Sequence, residues 1–166
     1  MKKIKLITES PFVKTVSDGE VHWMFAVKNS TDGEVFKASI DPRSLMKTLG
    51  EKHGGGKWQD ELLTCSCGEP GCAGLYDEKF ETSDEYVHWE FDYYKCSLDK
   101  KCRKISWYFD RHVYETGAID MLKEVYATKT GWEFYAHCYE TYEEFKAAVD
   151  KFLTEKPRYK AMWDGR

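Results

Sequence analysis

A two-residue alternation of apolar and polar side chains, met three times, constrains the fold more than any other feature of this chain. In Glu20–Lys28, Val21, Trp23, Phe25 and Val27 share one face, and His22, Met24, Ala26 and Lys28 share the other. In Tyr86–Tyr94, Val87, Trp89, Phe91 and Tyr93 oppose His88, Glu90 and Asp92, and Ile105, Trp107 and Phe109 then repeat the pattern. A helix, with about 3.6 residues per turn, cannot keep such a set on one side, so the spacing predicts half-buried β-strands.

Turn chemistry joins these runs. Asn29-Ser30-Thr31-Asp32-Gly33 separates the first from Val35–Ile40, whose Phe36, Ala38 and Ile40 fall on one side, and this pair reads as a hairpin. The stretch Cys96–Cys102 joins the second and third runs with a connection of hairpin length. Lys3–Thr8 reads as a short first strand, Ala73–Glu81 as a segment leading outward, and Glu81–Glu85 as a polar turn.

Helical spacing appears elsewhere. Asp41 as N-cap with Pro42 at the first helical position starts a short helix, Leu45, Met46 and Leu49 give it an apolar face, and Gly50 stops it. Thr116–Lys129 carries Ile119, Leu122, Val125 and Tyr126 at helical spacing before Gly131. Trp132, Phe134, Ala136 and Cys138 alternate with polar neighbours as one more strand, with Cys138 on the core face as a buried, inert thiol. Thr141 and Glu144 form a capping box, and Tyr142, Phe145, Val149 and Phe152 make the inward stripe of a closing helix that Pro157 ends. Residues 157–166 read as a basic and aromatic tail able to grip a partner, but more often such a tail is frayed or packs its Trp on its own domain. The expected architecture is α+β in one domain over residues 1–166: a largely antiparallel sheet with hairpins, two or three packing helices, and a helix at the C-terminus.

Composition excludes several classes. Aromatic residues make up 16% of the 166, including 6 Trp and 11 Tyr, which rules out a disordered chain. A formal net charge of -4 leaves no overall basic footprint for nucleic acid. No apolar run is long enough to span a bilayer, and Lys5 and Glu9 interrupt the start where a signal peptide would need an apolar stretch. The expectation is a cytoplasmic protein whose thiols are kept reduced.

The chemistry-bearing stretch is Cys65-Ser66-Cys67-Gly68-Glu69-Pro70-Gly71-Cys72-Ala73-Gly74. Pro70 and Gly71 suit the two central positions of a type II turn, which would bring Cys72 back towards Cys67, while Cys65 and Cys67 project from the same side of the incoming arm. Three of the six cysteines therefore converge without help from distant sequence. A structural zinc site takes four cysteine or histidine ligands, and Cys96, Cys102 and His53 are candidates to complete it. If Cys96 and Cys102 flank a hairpin loop, Cys67 with Cys72 and Cys96 with Cys102 can make a four-sulfur site where the tips meet, with Cys65 as alternative ligand or neighbour. At most four of Cys65, Cys67, Cys72, Cys96 and Cys102 can serve. A Cys67–Cys72 disulfide or redox pair, and reduced thiols that fill space, stand beside the zinc reading. His88 cannot share an ion with Cys96, because eight residues of strand at ~3.3 Å each put the two roughly 26 Å apart.

Other motifs are weaker. Gly54-Gly55-Gly56-Lys57 is followed by Trp58 where a Walker loop needs Ser or Thr, and it reads as a flexible connector. His88-Trp89-Glu90 matches the H-x-E of zinc deaminases but lacks the P-C-x-x-C partner on a helix. Lys100, Lys101, Arg103 and Lys104 form a basic hairpin tip, which reads as solvated surface rather than a phosphate-binding site.

The cysteine decamer, followed by a strand ending Val87-His88-Trp89 and by Phe109-Asp110-Arg111-His112-Val113-Tyr114 opening a helix, resembles small uncharacterised bacterial proteins that carry a CSCG-x2-GC-x-G segment. The resemblance covers about the middle third of the chain, implies a bacterial or phage origin and brings no activity with it. Cys96 and Cys102 lie outside that pattern.

Two functional classes follow. One is a non-enzymatic binding or inhibitor-type module with a structural cysteine site and a protein partner, in keeping with the acidic charge and the Tyr and Trp residues that anchor interfaces. The alternative is a thiol- or zinc-dependent enzyme. Against it, no Lys, Arg or His adjoins Cys65, Cys67 or Cys72 to lower a thiol pKa.

Overall fold

The computed structural model of the chain describes residues 3–29, 33–40, 42–49, 63–64, 75–93, 103–129 and 141–165. Among these, one antiparallel sheet has the order β1-β2-β3-β4, from β1 (Phe12–Ser17), β2 (Glu20–Lys28), β3 (Val35–Ile40) and the short β4 (Leu63–Thr64). A second has the order β5-β6-β7, from β5 (Leu75–Thr82), β6 (Tyr86–Tyr93) and β7 (Arg103–Asp110). The helices are α1 (Pro42–Thr48), α2 (Arg111–Thr128), α3 (Tyr142–Glu155) and α4 (Pro157–Asp164). The fold is α+β, as the alternating runs together with the helically spaced segments predict.

Burial follows the alternation. Trp23, Phe25 and Val27 on β2, Ala38 and Ile40 on β3, Val87, Trp89 and Phe91 on β6 and Phe109 on β7 are buried, while their neighbours on the opposite faces are more accessible, except that Ser39 on β3 is buried as well. The two sheets meet through aromatic rings: Phe25 stacks on Trp89 at 4.6 Å, and Phe36 lies 5.2 Å from Trp107 and 5.7 Å from Phe91. Helix α2 packs against β1, β6 and β7. Its Tyr114 sits 5.1 Å from Phe12 and 5.6 Å from Phe109, and accepts a 3.2 Å hydrogen bond from Trp89 Nε1. One aromatic cluster is thus shared by both sheets and the helix.

Several elements depart from the sequence reading. The first strand, expected over Lys3–Thr8, reduces to one parallel bridge between Ile7 and Phe109. Strand β1 pairs with β2 from Phe12↔Phe25 to Ser17↔Glu20, across a turn in which Asp18 and Gly19 take φ of 53° and 78°. Positive φ at both central residues is the twist-matched geometry of a two-residue hairpin, and an Asp-Gly pair supplies it at little steric cost. Residues 75–82, expected to lead outward, form β5, and the polar turn is Ser83-Asp84-Glu85, where Ser83 Oγ accepts from the backbone of Glu85 and Tyr86. Helix α2 starts at Arg111, ahead of Thr116, because the Asp110 carboxylate caps it by accepting from Val113 N at 3.0 Å. Thr141 and Glu144 make the expected capping box of α3. The closing helix α3 ends before Pro157 as expected, but the residues after it are not a frayed tail: Pro157 stands at the first position of α4, with Tyr159 buried and Trp163 against Tyr126 at 5.4 Å. Lys156 joins the two helices, and its Nζ donates to Leu49 O just beyond α1 at 2.7 Å. The Asp41 cap, Gly50, Gly54–Lys57, Gly131 and the strand expected over Trp132–Cys138 lie outside the described residues.

Gly117 marks the closest approach of α2 to the segment before β1. A Cβ there would collide with Ser10 Oγ and lie 3.1 Å from Phe12 Cδ2 and 3.3 Å from Ser10 Cβ. Gly117→Ala is therefore expected to lose about 1 to 3 kcal/mol through overpacking, less the ~1 kcal/mol by which alanine favours the helix. Denaturant titration checks this. Adding Ser10→Gly should recover most of the loss, and a G117A variant as stable as wild type would show that the approach is looser than described.

Candidate functional site

Strand β7 is one edge of its sheet, and the segment before β1 joins that edge at a single point. Ile7 N donates to Tyr108 O at 2.7 Å, and Asp110 N donates to Ile7 O at 2.9 Å. Backbone groups of a strand alternate sides, so the even-numbered residues of β7 direct theirs away from β6. Beyond Ile7 the edge opens into a cleft of about 930 Å³. Lys5–Ser10 form one wall, the ends of β2 and β3 another, and Arg103–Phe109 the floor. Its apolar lining includes Val35, which is 46% exposed, together with Val27, Phe36, Ile105 and Trp107. Lys5, Lys28, Arg103 and Lys104 also line it, against Glu9 and Glu34.

The outer face of the same sheet carries the polar residues of β6 and β7. His88 Nε2 and Ser106 Oγ share a 2.8 Å hydrogen bond on the diagonal between the two strands, and the His88 ring stacks on Tyr108 at 4.0 Å. Lys104 Nζ lies 3.1 Å from Glu90 Oε1, and that hydrogen bond holds the Glu90 carboxyl below its usual range. Ser106 and His88 have the spacing of a nucleophile and its base. Their setting is different: the ring is laid flat on a tyrosine, and the bond ties two neighbouring strands on an open sheet face. The pair reads as cross-strand stabilisation.

Partial burial lowers the His88 pKa from its ordinary 6.5, opposed by the nearby Glu90 and Glu81 carboxylates. The folded chain then takes up a proton at His88 less readily than the unfolded chain. The stability linked to this residue is complete above 6.5 and is lost as pH falls from there through the lowered folded value. NMR titration should place His88 below 6.5, and His88→Gln should flatten this part of the pH–stability curve. A value above 6.5 would mean that the carboxylates outweigh burial.

A third cluster fixes the C-terminal helix. Glu115 on α2 is fully buried and takes a 2.7 Å contact from Arg111 Nε and another of 2.7 Å from Arg158 Nη2 of α4. Arg111 also donates to Ser83 O at 3.1 Å, so one carboxylate links α2, α4 and the β5–β6 turn. The buried Tyr159 hydroxyl lies beside this carboxylate. Burial, reinforced by Glu115, raises its pKa well above the usual tyrosine range.

The sequence-predicted ligands Cys65, Cys67, Cys72, Cys96 and Cys102, together with His53 and Cys138, lie outside the described residues. Their neighbours are placed. Cys96 and Cys102 fall in the connection between Tyr93 and Arg103, which face each other across the β6–β7 hairpin. Cys65, Cys67 and Cys72 fall between β4 and β5, which belong to different sheets, so the arms flanking that turn are not paired strands of one hairpin. Among the described residues no group of three or more His, Cys, Asp or Glu side chains is placed to hold a metal ion, and that set contains no cysteine. Among the same residues no helix is long and apolar enough to cross a membrane.

Sequence reasoning missed the cleft, because its walls come from segments far apart in the chain. The alternation did mark Val27, Phe36, Ile105 and Trp107, but as core residues. No family model, no curated protein and no solved structure matches this chain.

Proposed function

We propose that this chain is a non-enzymatic binding module that receives a protein partner in the cleft beside β7. The observation that supports this reading is the cleft itself: about 930 Å³ of space along the edge of a sheet, lined by both apolar and charged side chains. Pockets lined by aromatic and aliphatic side chains with a polar rim are the common form of recognition sites. The cysteines take a structural part in this reading, with at most four of Cys65, Cys67, Cys72, Cys96 and Cys102 around a zinc ion, in a cytoplasmic protein.

Val35 is well suited to test the site, because it lines the cleft and is 46% exposed, so Val35→Glu changes the lining with little effect on the core. Partners crosslinked to the wild-type chain in cell extract are compared with those crosslinked to Val35→Glu. A protein retained by the first and lost by the second, which when purified protects β7 and β3 from hydrogen exchange, is the expected result. Identical recovery by both chains would remove the cleft as the binding site. Metal analysis of protein purified without added zinc or chelator, with a thiol count under denaturing conditions, tests the cysteine assignment. One zinc per chain with all six thiols titrating is expected, whereas six thiols and no metal would leave the cysteines as packing residues.

A further inference from the structure

We propose that the occupant of the β7 cleft is an extended, acidic segment of another protein, added to the sheet as a further strand. This rests on the binding-module reading and deepens it.

The backbone carries the first part of the inference. Tyr108 O and Asp110 N point out of the sheet and are taken by Ile7. The next outward groups along β7 are the N–H of Tyr108 and the N–H and C=O of Ser106, and none of these has a backbone partner among the described residues. Ile7 shows that the edge accepts an extended neighbour, and the cleft continues along that edge past the point where Ile7 stops. A strand laid about 4.8 Å from β7 would find donors and acceptors in the phase that Ile7 already uses. Alternate side chains of such a strand would turn towards Phe36 and Val35 on the apolar wall.

Charge carries the second part. Lys5, Lys28 and Arg103 line the cleft against Glu9 and Glu34, a small positive excess on a chain whose net charge is -4; Lys104, which also lines it, is paired with Glu90 on the outer face. A second copy of this chain pairing edge to edge would bring the same cations face to face, which disfavours self-association there. An acidic strand complements both the rim and the backbone. A nucleic acid would satisfy the rim but has no alternating N–H and C=O groups to offer the edge.

The test uses the full-length chain and a displayed library of random peptides long enough to cross the cleft. Enriched sequences are expected to interleave Asp or Glu with β-branched or aromatic residues. One of them, made synthetically, should shift the amide signals of Ser106 and Tyr108. N-methylation of alternate backbone nitrogens in that peptide should weaken binding by at least about tenfold, the loss expected for one or two backbone hydrogen bonds. Arg103→Glu with Lys28→Glu should weaken it similarly. Ser106→Pro removes an outward N–H while sparing the backbone bonds to β6, though it also deletes the His88–Ser106 side-chain bond, and should weaken binding more than Ser106→Ala, which deletes that bond alone; if the proline variant fails to fold, the N-methylated peptide asks the same question of the wild-type chain. Basic or helix-patterned selections, an N-methylated peptide that binds equally well, or an oligothymidine that outcompetes the peptides would each overturn this inference. So would signals shifted only away from β7, although the binding-module reading would then survive. A library that returns no binder overturns both.

Discussion

Glu115→Ala is expected to lower the stability of this chain by about 3 to 5 kcal/mol, because it leaves guanidinium charge in a buried site without its counter-ion. For a domain of this size that corresponds to a fall in Tm of about 6 to 20 °C. The carboxylate is fully buried, whereas the side chains that grip it are exposed to 17% for Arg111 and 52% for Arg158. The loss should therefore depend on which partner is removed. Arg158→Ala deletes a half-exposed charge and is expected to cost only about 1 kcal/mol, as surface ion pairs do. Glu115→Gln keeps the size and one acceptor oxygen and should fall between. Urea titrations of the three variants check the ranking. Equal, small losses for Glu115→Ala and Arg158→Ala would mean that water reaches the cluster and screens it.

Trp89→Ala should have an effect of similar size, about 3 to 5 kcal/mol, through a different cause. Trp89 is fully buried, stacks on Phe25 of the facing sheet, meets Phe80 edge-on at 4.3 Å and donates to Tyr114. Truncation removes contacts to three elements together and opens a cavity that these rigid rings cannot collapse to fill. Trp89→Phe keeps an aromatic ring but loses the Nε1 donor and part of the volume, and it should lose roughly half as much. Thermal and denaturant unfolding measure both. A Trp89→Ala chain that unfolds cooperatively within about 1 kcal/mol of wild type would show that the cluster does not hold the sheets together.

What was legible in the sequence divides along physical lines. Strands β2, β3, β6 and β7 present one face to a core, so burial wrote a period of two into residues such as Val87, Trp89 and Phe91. Strands β1 and β5 carry no clean alternation; edge position alone does not explain this, since β7 is an edge too and keeps its pattern. Val13 and Val16 are both exposed on β1 although they point to opposite faces, and β5 holds Asp77, Glu78 and Lys79. Asp18-Gly19 was a local signal for the β1–β2 hairpin that the alternation search passed over. Periodicity alone puts the start of α2 at Thr116 because Glu115 breaks the apolar stripe, whereas the segment Phe109–Tyr114, read as opening a helix, marks the observed start; the burial of Glu115 is intelligible only once Arg158 arrives from α4. The tail became a helix for the same reason: its Tyr159 finds a site on the folded domain that the sequence does not display. The candidate site followed this division. Its apolar residues were visible one by one, but the open edge and the cationic rim are products of tertiary placement.

The bridge between Ile7 and Phe109 also orders events during synthesis. Strands β1, β2 and β3 are joined by short turns and can pair soon after they leave the ribosome, since hairpins close fast. Ile7 has no strand to join until β7 has been made, and Phe25 has no Trp89 to stack on until β6 has. An early hairpin therefore waits with its aromatic face bare while the chain up to β7 is translated. In a growing polypeptide such a face is the surface that chaperones hold and that neighbouring nascent chains stick to. The longer ribosomes take to cross the stretch from β3 to β7, the longer that face stays exposed.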